Sequence, residues 1–340
     1  MKNDIHYLIF KTFKINLKRD IIKSFNKTNM TFLKMILKSV LIMLLFSTFV
    51  LKSTNRNITP ENFVESHLKI DTVKSILVKK DIAIKYYFQY LDSLVESINN
   101  SNNGSLTEHI LVRHNPWIID RLKNTDYYKM MEKDSFVYNQ KDLIALKKGS
   151  KIIFPDSLEI EEYLTTFNNT FLDINIPEYR LRIFQDSFMV YEFPVRVGRN
   201  ERKYLKMGDR VTDLKTKTGI GKIVAHVKDP DYYNPVNGRQ YFVTRRDDDK
   251  ITKCPQIPWL ETEINGFRNG QLIHPTTNPN TLNKAYSNGC IGTREGDAWI
   301  IYYYAPINTK VIIRYHLLNL NEQGDTIRFK NIYGIKQLIN

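Results

Sequence analysis

Cysteine is almost absent from this chain. Among 340 residues only Cys254 and Cys290 carry a thiol, which excludes a disulfide framework and any cysteine-rich metal site. A single Cys254–Cys290 disulfide would consume Cys290, so Cys254 reads as a structural residue. No helix-turn-helix, zinc-finger or RNA-binding signature is present, which sets nucleic acid aside despite a net charge of +14. The glycine turn Gly219-Ile220-Gly221-Lys222 lacks the spacing of a phosphate-cradling loop. Neither an A-x-A cleavage site nor a lipobox cysteine follows the N-terminal apolar stretch.

What is present fits a protein that buries a core: 42% hydrophobic, 25% charged and 12% aromatic residues. The charge is unevenly spread. Residues 1–51 hold nine Lys or Arg and two Asp, so +7 of the +14 lies in this arm. A mildly basic remainder suits an anionic polymer such as a cell wall. Ser39–Leu51 is uncharged and almost wholly apolar; counted from Met35 it reaches the lower limit of a membrane span. Its basic flank comes first, which predicts an N-terminus inside and the rest exported. Residues of about 35–51 are therefore expected to anchor the chain in the inner membrane.

Four regions are expected. Residues 1–52 form a basic arm with the signal or anchor segment, and 53–166 a mostly helical accessory or spacer region. In the latter, Thr59-Pro60 reads as a helix start. Ile84, Tyr87, Phe88, Leu91, Leu94 and Val95 recur at helical spacing, and Asn99–Ser105 breaks the pattern. Leu106–Met131 reads as a second helical patch, whose Trp117, Tyr127 and Tyr128 are expected in the core. From 167 to 318 the pattern turns to strands and turns, with alternation over Thr170–Pro177, Arg180–Phe184 and Phe188–Gly198. Asp229–Pro235 and Pro255–Trp259 read as loops over a groove, and Thr244–Lys250 as a solvated charge run. Glu295–Tyr304 reads as a helix and Lys310–Tyr315 as a closing strand. Residues 319–340 form a C-terminal extension.

One stretch concentrates chemistry: Ser287-Asn288-Gly289-Cys290-Ile291, with His274 sixteen residues upstream in Leu272-Ile273-His274-Pro275. A small, glycine-containing turn presents a sulfur and leaves the Asn288, Gly289 and Cys290 amides free to face one oxyanion. A thiol needs a base, and a strand-loop-strand can fold His274 back onto it. Taken singly, such a cysteine is more often a buried hydrophobe and such a histidine a satisfied polar residue. Their surroundings favour chemistry.

Those surroundings resemble a known family. In order come an Asn-Ile-Pro strand, Phe193-Pro194-Val195…Gly198, a Thr-x-Thr-Gly turn at Thr216–Gly219, the Ile-His pair and Ser-x-Gly-Cys-Ile. Residues 170–315 thus resemble the L,D-transpeptidase catalytic domain, the YkuD fold. The resemblance implies an α+β chain: a mostly β, sandwich-like domain with a short helix after the cysteine, preceded by the helical region and the membrane segment. It implies an exported cell-envelope enzyme acting on peptidoglycan stem peptides, with no metal and no cofactor. Carried over, Cys290 is the nucleophile and His274 the base, oriented by the Pro275 carbonyl. Asn288, Gly289 and Cys290 give the oxyanion amides and Ser287 shapes the turn. Thr218 and Arg294 are candidate substrate contacts. The chain departs from the family pattern at Asn288 (usually His), Pro275 (Gly), Gly292 (Arg) and Lys217 (Pro).

The chemistry so implied is acyl transfer through a Cys290 thioester, started by a thiolate paired with protonated His274. Hydrolysis of the thioester (an L,D-carboxypeptidase), another cysteine amidohydrolase of the wall, and a non-catalytic wall-binding protein stay open as alternatives.

Overall fold

A computed structural model describes residues 74–335, apart from 103, 206–208, 235–236 and 322. The membrane stretch of about 35–51 and the helix start at Thr59-Pro60 lie outside the described residues. Among the described residues no helix is long and apolar enough to cross a membrane.

The chain enters through β1 (Ser75–Leu77) and β2 (Ile82–Ala83) into α1 (Ile84–Asn102). Ile84, Tyr87 and Leu91 of α1 are buried at intervals of three and four, the stripe expected for an amphipathic helix. The helix runs past the expected break at Asn99. Three short helices follow: α2 (Glu108–His114), α3 (Pro116–Leu122) and α4 (Tyr127–Met131). Thr107 caps α2 through its side chain, Pro116 opens α3, and Asp126 caps α4. Strands β3 (Ile144–Leu146) and β4 (Lys151–Ile153) pair back with β2 and β1. Helix α5 (Ser157–Asn168) then starts with a reciprocal capping box between Asp156 and Glu159.

From β5 (Thr170–Asn175) onward the chain is mostly strand. Strands β6 (Arg180–Gln185) and β7 (Phe188–Pro194) continue antiparallel from it. After β8 (Val197–Gly198), the hairpin of β9 (Arg202–Leu205) and β10 (Arg210–Asp213) stands apart from the main sheet. Next come β11 (Gly219–Val227), a second hairpin of β12 (Val243–Arg245) and β13 (Ile251–Lys253), β14 (Trp259–Ile264) and β15 (Leu272–Pro275). They are followed by β16 (Ala285–Ser287), β17 (Ile291–Thr293), α6 (Glu295–Tyr304) and β18 (Lys310–Arg314). The main sheet has eight strands in the order β17-β15-β14-β11-β18-β5-β6-β7. The pairs β15–β17 and β18–β5 are parallel, and the rest antiparallel.

Helix α6 explains how the parts cohere. Ala298, Trp299, Ile300, Ile301, Tyr302 and Tyr303 are all buried, so it is apolar nearly all round and covered on every side. The Tyr87 and Tyr303 hydroxyls lie 2.7 Å apart in the core, and Tyr303 donates to Glu108 at 2.9 Å. Lys228 of the β11 side reaches the same carboxylate at 2.6 Å. Residues 74–168 therefore share one core with the sheet rather than hanging from it as a spacer.

A second polar knot corrects the solvated reading of Thr244–Lys250. Arg246 is 2% exposed and pairs with the fully buried Glu295 at the start of α6. Glu295 also accepts from the Tyr127 amide at 2.9 Å and from Gln140 at 2.8 Å. A charge run hides one residue inside because a buried carboxylate awaits it.

The C-terminal segment also packs inward. Tyr333 is 5% exposed and stacks on Tyr315, with ring centroids 5.3 Å apart.

Candidate active site

At the end of the sheet, β15 carries His274 and the segment leading into β17 carries Cys290. In the parallel register His274 is the Cα partner of Gly292 and Ile273 that of Ile291. Cys290 immediately precedes β17, so it arrives beside the strand that holds His274. Its Sγ rests 4.0 Å from the Gly270 carbonyl, and the Leu272 amide is directed at the sulfur. Sixteen residues of separation are thus closed by one parallel strand pair.

The turn before the cysteine is built by its own small residues. Gly289 has φ +115, a conformation that L side chains rarely adopt. Ser287 is buried; its hydroxyl donates to the Cys290 carbonyl at 2.6 Å and accepts from the Gly289 amide at 3.2 Å. This corrects the expectation of three free amides, because Ser287 occupies that of Gly289. The Asn288 and Cys290 amides have no hydrogen-bond partner among the described residues. Asn288 is exposed, and its side-chain oxygen accepts from Arg199 at 2.5 Å.

His274 is half-buried, with Nδ1 2.9 Å from the Pro275 carbonyl oxygen. A carbonyl only accepts, so Nδ1 carries the proton and Nε2 keeps its lone pair. The Trp259 ring lies against the imidazole, centroids 5.4 Å apart. Burial and then the nearby Arg196 guanidinium pull the His274 pKa down to about 4, against the Pro275 contact. Burial pushes the Cys290 thiol up, while the Leu272 amide and Arg196 pull the other way. Both directions favour a neutral thiol and a neutral imidazole over the thiolate and imidazolium that the resemblance implies.

A cavity of about 300 Å³ opens at Cys290. Gly270, Gln271, Asn288 and Gly289 line one part of it, and Arg210, Asp213, Lys215 and Lys217 the other. Its charged wall is basic, and its one acid, Asp213, is paired with Lys217 at 2.9 Å.

Two candidate contacts lie elsewhere. Thr218 is exposed, its carbonyl accepting from Asn265 at 3.3 Å, and it is not among the residues lining the cavity. Arg294 is exposed and lines a separate recess with Tyr128, Thr276 and Asn280. Likewise the Asp231, Tyr232 and Gln256 loops border a recess at Cys254 rather than the cavity at Cys290. Both cysteines are free, and burial raises the Cys254 pKa to about 11.

Sequence reasoning passed over Thr216, Tyr333 and Arg196. The buried Thr216 hydroxyl donates to the Gly289 carbonyl at 3.0 Å and accepts from the Gly198 amide at 2.8 Å. Tyr333 donates to the Gly198 carbonyl at 2.6 Å and accepts from the Thr216 amide at 3.1 Å. Thr216 opens the Thr-x-Thr-Gly turn, which was the available signal; nothing local marked Tyr333. Among the described residues no group of three or more His, Cys, Asp or Glu side chains is placed to hold a metal ion.

Residues 169–313 match the family model YkuD, the L,D-transpeptidase catalytic domain. No curated protein matches the chain. Among solved structures, an L,D-transpeptidase from Xylanimonas cellulosilytica is 15% identical with a TM-score of 0.30, over 43% of this chain and 60% of that one. One from Mycobacterium tuberculosis is 17% identical with a TM-score of 0.29, over 43% and 57%. A mutant of the Enterococcus faecium L,D-transpeptidase is 13% identical with a TM-score of 0.29, over 43% and 50%. The chain thus spans between half and three fifths of the length of these three structures.

Proposed function

We propose that the protein is a peptidoglycan L,D-transpeptidase working through a Cys290 thioester. The observation that supports this reading is the parallel pairing of β15, which holds His274, with β17, which Cys290 precedes, with His274 Nδ1 turned to the Pro275 carbonyl. The YkuD match over 169–313 supports it.

With a neutral resting pair, Cys290 loses its proton as it attacks. His274 Nε2 takes the thiol proton while Sγ bonds to the carbonyl carbon that precedes the terminal D-alanine of a tetrapeptide stem. The carbonyl oxygen becomes an oxyanion, met by the Asn288 and Cys290 amides. Collapse breaks the C–N bond, and His274 returns its proton to the departing amine of D-alanine, which leaves a thioester. An acceptor amine then gives its proton to His274 as it attacks the thioester, and Cys290 leaves as the thiol. The basic wall of Arg210, Lys215 and Lys217 suits a donor rich in carboxylates.

Such a reaction belongs outside the cytoplasm, where the wall is. The apolar stretch 39–51 behind nine basic residues favours export, and anchoring by about 35–51 is part of the proposal. The direct test is mass spectrometry of stem tetrapeptide incubated with the protein, with and without an acceptor amine. Loss of D-alanine with a new amide to the acceptor is the expected result. Loss of D-alanine with tripeptide as the sole product, even with acceptor present, would make the enzyme an L,D-carboxypeptidase. No reaction in either case would overturn both.

A further inference from the structure

Near Cys290 and His274 stands Arg196, for which no ion pair with an acid is found among the described residues. Arg196 exchanges both backbone hydrogen bonds with Gly292, at 2.9 and 3.0 Å. Gly292 lies two residues after Cys290 and is the register partner of His274. The side chain of Arg196 occupies the space over Gly292: a Cβ there would meet its Nε at 2.5 Å and its Cγ at 2.7 Å. The guanidinium has five N–H donors. One reaches the Thr281 hydroxyl at 3.3 Å, while the buried Nε–H has no hydrogen-bond partner among the described residues. Leaving the Nε–H buried without a hydrogen-bond partner is costly, which argues against an incidental arginine here.

The other charges around the pair do not replace it. Arg210, Lys215 and Lys217 stand across the cavity, Lys217 being tied to Asp213. Tyr286, which faces Arg196, is the remaining ionisable group beside it. The Arg196 charge bears on both members of the pair, favouring the thiolate at Cys290 and disfavouring the imidazolium at His274.

From this placement we infer that Arg196 is a positioning residue which supplies fixed positive charge to the Cys290 sulfur as its proton departs, and that position 292 is glycine in order to admit it. The guanidinium arrives from the strand side of β8 across the β17 backbone, instead of from the residue two places after the cysteine. The inference rests on Cys290 being the nucleophile, but its test reads the thiol directly and does not require transpeptidation.

The test compares alkylation of Cys290 by anionic iodoacetate and by neutral iodoacetamide across pH, followed on the Cys290 peptide by mass spectrometry. In Arg196→Gln, the iodoacetamide rate at neutral pH should fall about tenfold, the effect of raising a thiol pKa by about one. The iodoacetate rate should fall further, because an anionic reagent also loses the attraction. Arg196→Lys should keep most of both. Gly292→Ala, with the arginine present but displaced, should reproduce Arg196→Gln, and the double variant should be no worse than Arg196→Gln alone. An unchanged reagent ratio and pH profile in Arg196→Gln, or additive losses in the double variant, would overturn the inference. Circular dichroism melts establish that each variant folds. Should Arg196→Gln not fold, Gly292→Ala and Arg196→Lys decide it: wild-type behaviour in Gly292→Ala, or loss in Arg196→Lys equal to that in Gly292→Ala, would overturn it. If stem peptide is not turned over by the wild type while these shifts appear, the proposed function falls and the Arg196 assignment stands.

Discussion

Thr216 Oγ1 donates to the Gly289 carbonyl at 3.0 Å and fastens the segment before β11 to the turn that presents Cys290. The same oxygen accepts from the Gly198 amide at 2.8 Å, so one hydroxyl joins three separate pieces of chain. It follows that the position of Cys290 is set from outside its own motif.

Thr216→Val keeps the shape and removes both bonds. The stranded Gly198 amide and Gly289 carbonyl should cost about 1–3 kcal/mol of stability. The loosened turn should slow acylation of Cys290 about tenfold, corresponding to about 1.4 kcal/mol in the barrier. Thermal melts together with the acylation rate check this. A stable variant with a wild-type rate would show that Thr216 does not hold the turn.

The pH dependence follows from the directions of the two shifts. Burial and Arg196 depress His274 to about 4, so its base form persists well below 6.5, where imidazole ordinarily titrates. Acylation should therefore lose activity on the acid side near pH 4. Burial raises Cys290 above the ordinary 9.0, so the rate should not track a thiolate forming at neutral pH. A kcat/KM profile tests both, since it reports the free enzyme. An acid limb centred near 6.5 would contradict the depressed His274.

The buried Arg246–Glu295 pair should govern stability rather than chemistry. Arg246→Ala leaves Glu295 charged and enclosed, which should cost about 3–5 kcal/mol. Arg246→Met with Glu295→Gln should recover a large part of that, because no uncompensated charge is left behind. Denaturant unfolding of the single and double variants measures the coupling. Additive losses would mean the two residues do not act as a pair.

How much of this was legible in the sequence depended on whether the signal was local. Alternation over Thr170–Pro177, Arg180–Phe184 and Phe188–Gly198 gave three strands, which run over Thr170–Asn175, Arg180–Gln185 and Phe188–Pro194, and Glu295 and Lys310 do open a helix and a strand. Cys290 and His274 could be nominated as a pair because a thiol, a glycine turn and an upstream imidazole are rare enough together to notice. Arg246 was not, since nothing near it announces a buried carboxylate 49 residues away. Arg196 sits 94 residues before Cys290 in a strand-like run, and only the pairing with Gly292 brings it to the site. Helix α5 lies almost wholly within the expected helical region 53–166 but was not delimited, although Asp156 and Glu159 carry the capping-box spacing, because its polar face masks the apolar period.

The central claim is that Cys290 is an acylated nucleophile. A carbapenem offers a strained amide that such a thiol opens, leaving a covalent thioester. Intact mass after incubation should show a gain of one carbapenem on the wild-type protein and none on Cys290→Ser, with the adduct on the Cys290 peptide. No adduct on the wild type, or an equal adduct on Cys290→Ser, would contradict the account.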